Sequence, residues 1–289
     1  MSLQWNGSLG IESHMLEEII TEVVDAIDEA INAMAEKDYN SFILFIGRAD
    51  IEPKVKQYTG SECVIDYQLD RYHDETREAF YLRYMNRNYS KDGFDYSGDS
   101  GIDDLSIEMM IYTHLWDSMY FLKSIYRIAY ALSGKGYAWN PNIPERGKYN
   151  FIKDEVVKPL KEEGYKLGDV VDKGFKLSIR NAFAHSLYDV DVSSRMIHLR
   201  TLRNPYERLT FEEFQRYFLY SVILMNKLQN NLEHNHDAAA CKNTAITDVF
   251  QTPDGVNVQV FAEMKSVGDK KYPRFRIVKV VDSAIENTI

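Results

Sequence analysis

Residues 178–186 read Ser178-Ile179-Arg180-Asn181-Ala182-Phe183-Ala184-His185-Ser186. An arginine and a histidine stand five positions apart, with an asparagine directly after the arginine. On a helix, Asn181 and His185 lie one turn apart and share a face. Arg180 lies about 140° around the axis from His185, a separation that its long side chain can bridge near a helix end. The combination suits phosphodiester chemistry. Histidine titrates near neutrality and moves protons. Arginine offers a planar fork to phosphate oxygens and to charge developing on them. Asparagine can orient the imidazole or bind an oxygen. RNA cleavage by this route needs no metal, because the 2′-hydroxyl is a nucleophile already in place.

Outward from this stretch the pattern is mainly helical. Leu16, Ile20, Val23, Ile27, Ile31 and Met34 recur at three- and four-residue steps and predict an amphipathic helix over 13–35. Residues 40–69 give no clear assignment. Residues 70–89 read as a charged helix, and the polar, glycine-rich 90–101 as a boundary or long loop. A long helix over 103–132 is stopped at Ser133-Gly134. A helix over 150–163 is interrupted near Pro159, and a helix over 168–185 carries the quoted stretch. Two short strands follow, 187–190 and 196–202, with a turn at Ser193-Ser194. Thr210-Phe211-Glu212-Glu213 is a capping box that opens a closing helix over 210–234. Residues 246–251, 256–264 and 275–281 read as strands, with Pro253-Asp254-Gly255 as a hairpin turn.

The motif Arg180-Asn181-Ala182-Phe183-Ala184-His185 resembles that of the HEPN superfamily, whose nuclease members carry an Arg, four to six residues, then a His. The resemblance covers about residues 103–235. It implies an up-and-down helical bundle there; with the N-terminal helices and C-terminal strands read above, the expected fold is mainly α, a HEPN-like up-and-down helical bundle with an added helical N-terminal region and a small antiparallel β segment at the C-terminus. The corresponding segments are 1–98, 99–237 and 238–289. It also implies a metal-independent endoribonuclease of a toxin–antitoxin or phage-defence kind. Such an enzyme acts as a homodimer, with two motifs facing one RNA-binding cleft, and is held in check by an antitoxin or regulatory protein. His185 is then the general base or acid, Arg180 stabilises the phosphate and Asn181 orients. Some toxin members carry a modified Tyr two residues after the His. This chain has Leu187 there and Tyr188 one position later. The other outcomes are a catalytically silent HEPN module that binds RNA, nucleotide or protein, and a structural or regulatory helical protein in which Arg180 and His185 make only internal contacts.

The net charge is −10, with 44 acidic and 34 basic residues. The balance is −14 over residues 1–110 and +4 over 111–289, so the acid excess is N-terminal. Residues 173–216 hold eight Lys or Arg against five Asp or Glu, a local basic lean that permits an RNA partner. Lys176, Tyr188 and His114 are candidate substrate-binding residues, and His114 lies at i, i+3 from Asp117 on the long helix. Two cysteines among 289 residues make no disulfide framework, so a reducing, cytoplasmic setting is expected. The apolar run 107–132 is broken by His114, Asp117, Lys123 and Arg127, so no membrane span is expected.

Other patterns carry less. Pro253-Asp254 with Glu263-Met264-Lys265 mimics a metal-dependent nuclease, but Pro-Asp-Gly is ordinary turn chemistry. His234, His236 and Cys241 lack further zinc ligands at sensible spacing. No metal site and no cofactor is expected.

Overall fold

The computed structural model describes residues 13–51, 64–66, 99–200, 206–252, 255–268 and 270–281. The reading of 70–89 as a helix, most of the 90–101 loop and the Pro253-Asp254 half of the hairpin turn lie outside the described residues. The chain forms two compact units, each drawn from three separated stretches.

The first unit takes in the described residues within Met1–Ile27, Arg71–Leu122 and Gly164–Leu228. It begins with the first half of α1 (Ser13–Lys37), whose Ile19 and Val23 are fully buried. Next comes α3 (Asp99–Asp117). The expected continuous helix over 103–132 breaks here. Ser118 ends α3 and caps α4 (Met119–Leu132), its hydroxyl accepting from Phe121 N at 3.1 Å. Residues 99–101, expected in the loop, already belong to α3.

The expected helix over 168–185 is likewise two helices, α7 (Lys166–Gly174) and α8 (Leu177–Ala184). Phe175 and Lys176 between them are extended. The side chains of α3 hold that break. Tyr112 Oη donates to Gly174 O at 2.9 Å and accepts from Lys176 N at 2.6 Å. Trp116 lies against Phe175, with ring centroids 4.8 Å apart, and donates from Nε1 to Ser221 Oγ at 2.9 Å.

After α8 the chain enters a three-stranded antiparallel sheet in the order β3 (Tyr188–Asp191), β4 (Met196–Leu199), β5 (Glu207–Thr210). Ile197, Leu199 and Leu209 are its buried positions. This sheet overturns the expected mainly α fold. The molecule is not an up-and-down HEPN-like bundle with β structure confined to the C-terminus. It is a mixed α and β architecture with two separate three-stranded antiparallel sheets. The physical reason lies in β4 and β5: β4 buries Ile197 and Leu199 two residues apart and β5 buries only Leu209, a spacing that cannot present a helical stripe. The capping box forms as read, with Thr210 N donating to Glu213 Oε2 at 2.8 Å and Glu213 N to Thr210 Oγ1 at 3.1 Å. It opens α9 (Phe211–Cys241), which buries Phe214, Phe218, Met225, Leu228 and Leu232.

The second unit takes in the described residues within Asp28–Asp70, Lys123–Glu163 and Gln229–Ile289. Here α2 (Tyr39–Ile46) is capped by Asp38, whose carboxylate accepts from Ser41 N at 3.0 Å, and buries 41–46 on every side. Such a helix shows no amphipathic period, which is why 40–46 is unreadable in sequence. A Cβ at Gly47, just beyond it, would come within 2.3 Å of Met264 Cε and 2.5 Å of Phe275 Cζ. The short strands β1 (Ala49–Ile51) and β2 (Val64–Asp66) pair antiparallel.

The interrupted helix is α5 (Lys148–Asn150), a π-helical stretch Phe151–Val157, then α6 (Lys158–Glu162). The wider π turn leads into Pro159, which cannot donate and whose ring crowds the preceding turn. The second sheet is β6 (Ala245–Gln251), β7 (Asn257–Val267) and β8 (Lys270–Val281). Val258, Val260, Ala262 and Met264 line the buried side of β7. Among the described residues no helix is long and apolar enough to cross a membrane.

Candidate functional site

Arg180 lies in the middle of α8, with its side chain 27% exposed. One guanidinium nitrogen, Nη2, donates to both carboxylate oxygens of Asp117, at 2.9 and 3.1 Å. A second, Nη1, donates to Asn181 Oδ1 at 3.1 Å. Arg180, Asn181 and Asp117 therefore form one half-buried cluster. α8 stands where it does because Tyr112 and Trp116 of α3 fix its entry, and Asp117, the last residue of α3, meets it one turn later.

His185 is the C-cap of α8 and is exposed. Its own N–H bonds Asn181 O at 3.1 Å, while Ser186 N donates to Phe183 O at 3.1 Å and Leu187 N to Ala182 O at 2.7 Å. That pair of bonds is a Schellman turn. Ser186 takes the left-handed position, with φ 54°, where glycine is usual. The helix end is thus a fixed turn and not a frayed one. The His185 imidazole has no hydrogen-bond or ion-pair partner among the described residues.

The three substrate-binding candidates fall separately. Tyr188 begins β3 and stacks on Phe183, centroids 5.7 Å apart. Lys176 caps α8 and is ion-paired with Glu207 at 2.8 Å, its Nζ 5.5 Å from the centre of the Tyr217 ring. Burial works against the Lys176 ammonium, yet the bond to Glu207 and the nearby negative charges leave its pKa above the ordinary lysine value. His114 is exposed on α3.

Five of the eight basic residues of 173–216 are ion-paired, two of them with acids from outside the segment. Lys173 pairs with Glu22, Lys176 with Glu207, Arg180 with Asp117, Arg200 with Asp189 and Arg216 with Glu212. Arg195 packs over Phe211, 5.4 Å from the ring centre, and Arg203 lies outside the described residues. The sequence gives no signal for Asp117 as the partner of Arg180. The two are 63 positions apart, and only the packing of α3 on α8 joins them.

The remaining patterns resolve simply. Glu263 and Lys265 pair with each other at 3.2 Å across one face of β7. His236 Nδ1 lies 3.5 Å from Asp237 Oδ1, and Cys241 is exposed. Among the described residues no group of three or more His, Cys, Asp or Glu is arranged to hold a metal ion. Comparison with known protein families, curated proteins and solved structures finds no match to this chain.

Proposed function

We propose that the chain is a metal-independent endoribonuclease of HEPN type, acting on RNA in the cytoplasm in a toxin or phage-defence role. The observation that carries this reading is the setting of the motif. Arg180 is oriented at a partly exposed position by Asp117 and Asn181, and His185 stands exposed at the capped end of the same helix. His185 takes the proton of a 2′-hydroxyl as its oxygen attacks the adjacent phosphorus. The guanidinium N–H groups not used by Asp117 and Asn181 face the non-bridging oxygens. The 5′-oxygen leaves with a proton from a second acid, for which the same histidine of a second copy in a homodimer is the candidate. The products are a 2′,3′-cyclic phosphate and a 5′-hydroxyl.

The purified chain should cleave single-stranded RNA in EDTA. His185→Ala should lower the rate by about 100-fold or more with an unchanged thermal transition, since the side chain is exposed. Cleavage that needs Mg²⁺ and survives His185→Ala rejects the proposal.

The Asp117–Arg180 ion pair favours a second reading, because it cancels the charge that a phosphate would meet. This is a catalytically silent HEPN module that binds RNA, nucleotide or a regulatory protein such as an antitoxin. RNA binding that Arg180→Ala weakens, with no turnover by the unaltered chain, distinguishes it.

A further inference from the structure

The sheet of β6, β7 and β8 has two unlike faces. One is buried, with Val258, Val260, Ala262 and Met264 of β7 and Phe275 and Ile277 of β8. Side chains alternate along a strand, so the opposite face carries Phe261, Glu263 and Lys265 of β7 and Arg274 and Arg276 of β8. The register agrees, with Phe261 opposite Arg276 and Glu263 opposite Arg274. On this face β6 adds only neutral side chains, Thr247 and Val249 among them.

A bulge brings a third cation from β8 to the same face. Gln259 pairs with Lys279 while Val260 pairs with Ile277, which leaves Val278 as an extra residue on β8. An extra residue turns the side chains beyond it over to the other side. Regular alternation from Arg276 would put Val278 outward and Lys279 toward the core. With the bulge, Lys279 stands opposite Gln259, in one row with Arg274 and Arg276. The row is about 13 Å long, two steps of two residues each.

Arg274, Arg276 and Lys279 are all exposed, and none is ion-paired among the described residues. The carboxylate on the face, Glu263, is taken by Lys265 at 3.2 Å. The Arg276 guanidinium lies over the Phe261 ring, 4.8 Å from its centre, an attraction that holds it at the middle of the row. The chain as a whole carries −10, but charges more than about 8 Å away are largely screened in physiological salt. The local row therefore sets what approaches.

Three cations in a row fit a chain of anions. A guanidinium backed by a ring adds a planar surface on which nucleic-acid bases stack. A duplex keeps its base faces inside and cannot use it. We propose that this face of the sheet binds single-stranded nucleic acid, with phosphates on Arg274 and Lys279 and a base stacked on Arg276 over Phe261. The inference stands on β7 and β8 and does not rest on the reading of Arg180 and His185.

Fluorescence anisotropy of the full chain with a labelled single-stranded deoxyadenosine decamer tests this. DNA lacks the 2′-hydroxyl, so cleavage by the route above does not intrude. The decamer should bind, and log K should fall against log[salt] with a slope of about −1.4 to −2.1, about 0.7 for each cation engaged. Lys279→Gln should make the slope shallower by about 0.7. Arg276→Lys keeps the charge but loses the plane, and should weaken binding about fivefold or more at the same slope. The duplex, a decamer without bases and phosphatidylserine vesicles should each bind at least about fivefold more weakly. No binding, equal or tighter binding of any of these three comparators, an unchanged slope in Lys279→Gln or unchanged affinity in Arg276→Lys overturns the proposal. So does binding that only Arg180→Ala weakens, which would put the strand on α8 and leave the reading of that helix standing.

Discussion

Asp117 receives two hydrogen bonds from a single nitrogen of Arg180, at 2.9 and 3.1 Å, across the junction of α3 and α8. Both side chains are about one-quarter exposed, so the pair adds little to stability. Its main effect is orientation, since it fixes which edge of the guanidinium faces outward. Asp117→Asn should lower single-turnover RNA cleavage by about tenfold without weakening RNA binding, because a negative charge is removed. Single-turnover rates with fluorescence anisotropy check this. An unchanged rate would show that Asp117 does not position Arg180 for catalysis.

Ser186 occupies a left-handed position that L-residues adopt at a cost of about 1–2 kcal/mol. Ser186→Gly should raise stability by up to about 1 kcal/mol and preserve cleavage, as the turn presenting His185 is retained. A β-branched Ser186→Val should lower both. Urea midpoints for the two variants decide the matter.

The β3–β4 turn carries a pH signature. Asp191 accepts from the hydroxyls and backbone N–H groups of Ser193 and Ser194. These bonds hold its carboxyl at about 2, below the ordinary 3.8. A carboxyl depressed in the folded chain stabilises it fully above the unfolded value, and that contribution is lost as pH falls toward the folded one. The turn should therefore loosen between about pH 4 and pH 2. Asp191→Asn should flatten this acid limb. NMR titration of the Asp191 carboxyl, with acid unfolding of both chains, reads the effect.

The Asp50–Arg127 pair should behave as a unit. Arg127→Met alone removes a buried cation from beside the buried Asp50 carboxylate and should cost about 3–5 kcal/mol in urea unfolding. Asp50→Leu combined with Arg127→Met should cost less than the two single changes added together. Additive losses would mean that the two charges do not depend on each other.

Legibility in the sequence followed the range of the interactions. The capping box at Thr210 and Glu213 and the turn at Ser193-Ser194 are local chemistry and read directly. The strands of 245–281 read from two-residue alternation. The break at Ser118 does not, because apolar spacing runs through it from Leu115 to Leu122 and one hydroxyl makes the stop. β5 does not either: Glu207-Arg208-Leu209-Thr210 buries only Leu209, and pairing with β4 makes it a strand. The strands read over 187–190 and 196–202 form as β3 and β4, but without β5 they do not announce a separate three-stranded sheet, so a mainly α bundle is the wrong fold class. At the candidate site, the helical placement of Arg180 was legible. The contacts that orient it were not, since they come from a helix far away in sequence.

The interleaving of the two units sets the order of events during synthesis. The apolar face of α1 leaves the ribosome with neither of its later partners yet made: residues 164–228 complete one unit, and residues beyond 229 complete the other. Partners so distant along the chain slow folding and prolong the exposure of sticky surface. Release of a nascent chain before the last strands emerge would leave unit two unfinished, so this polypeptide should lean on holding chaperones while it is translated.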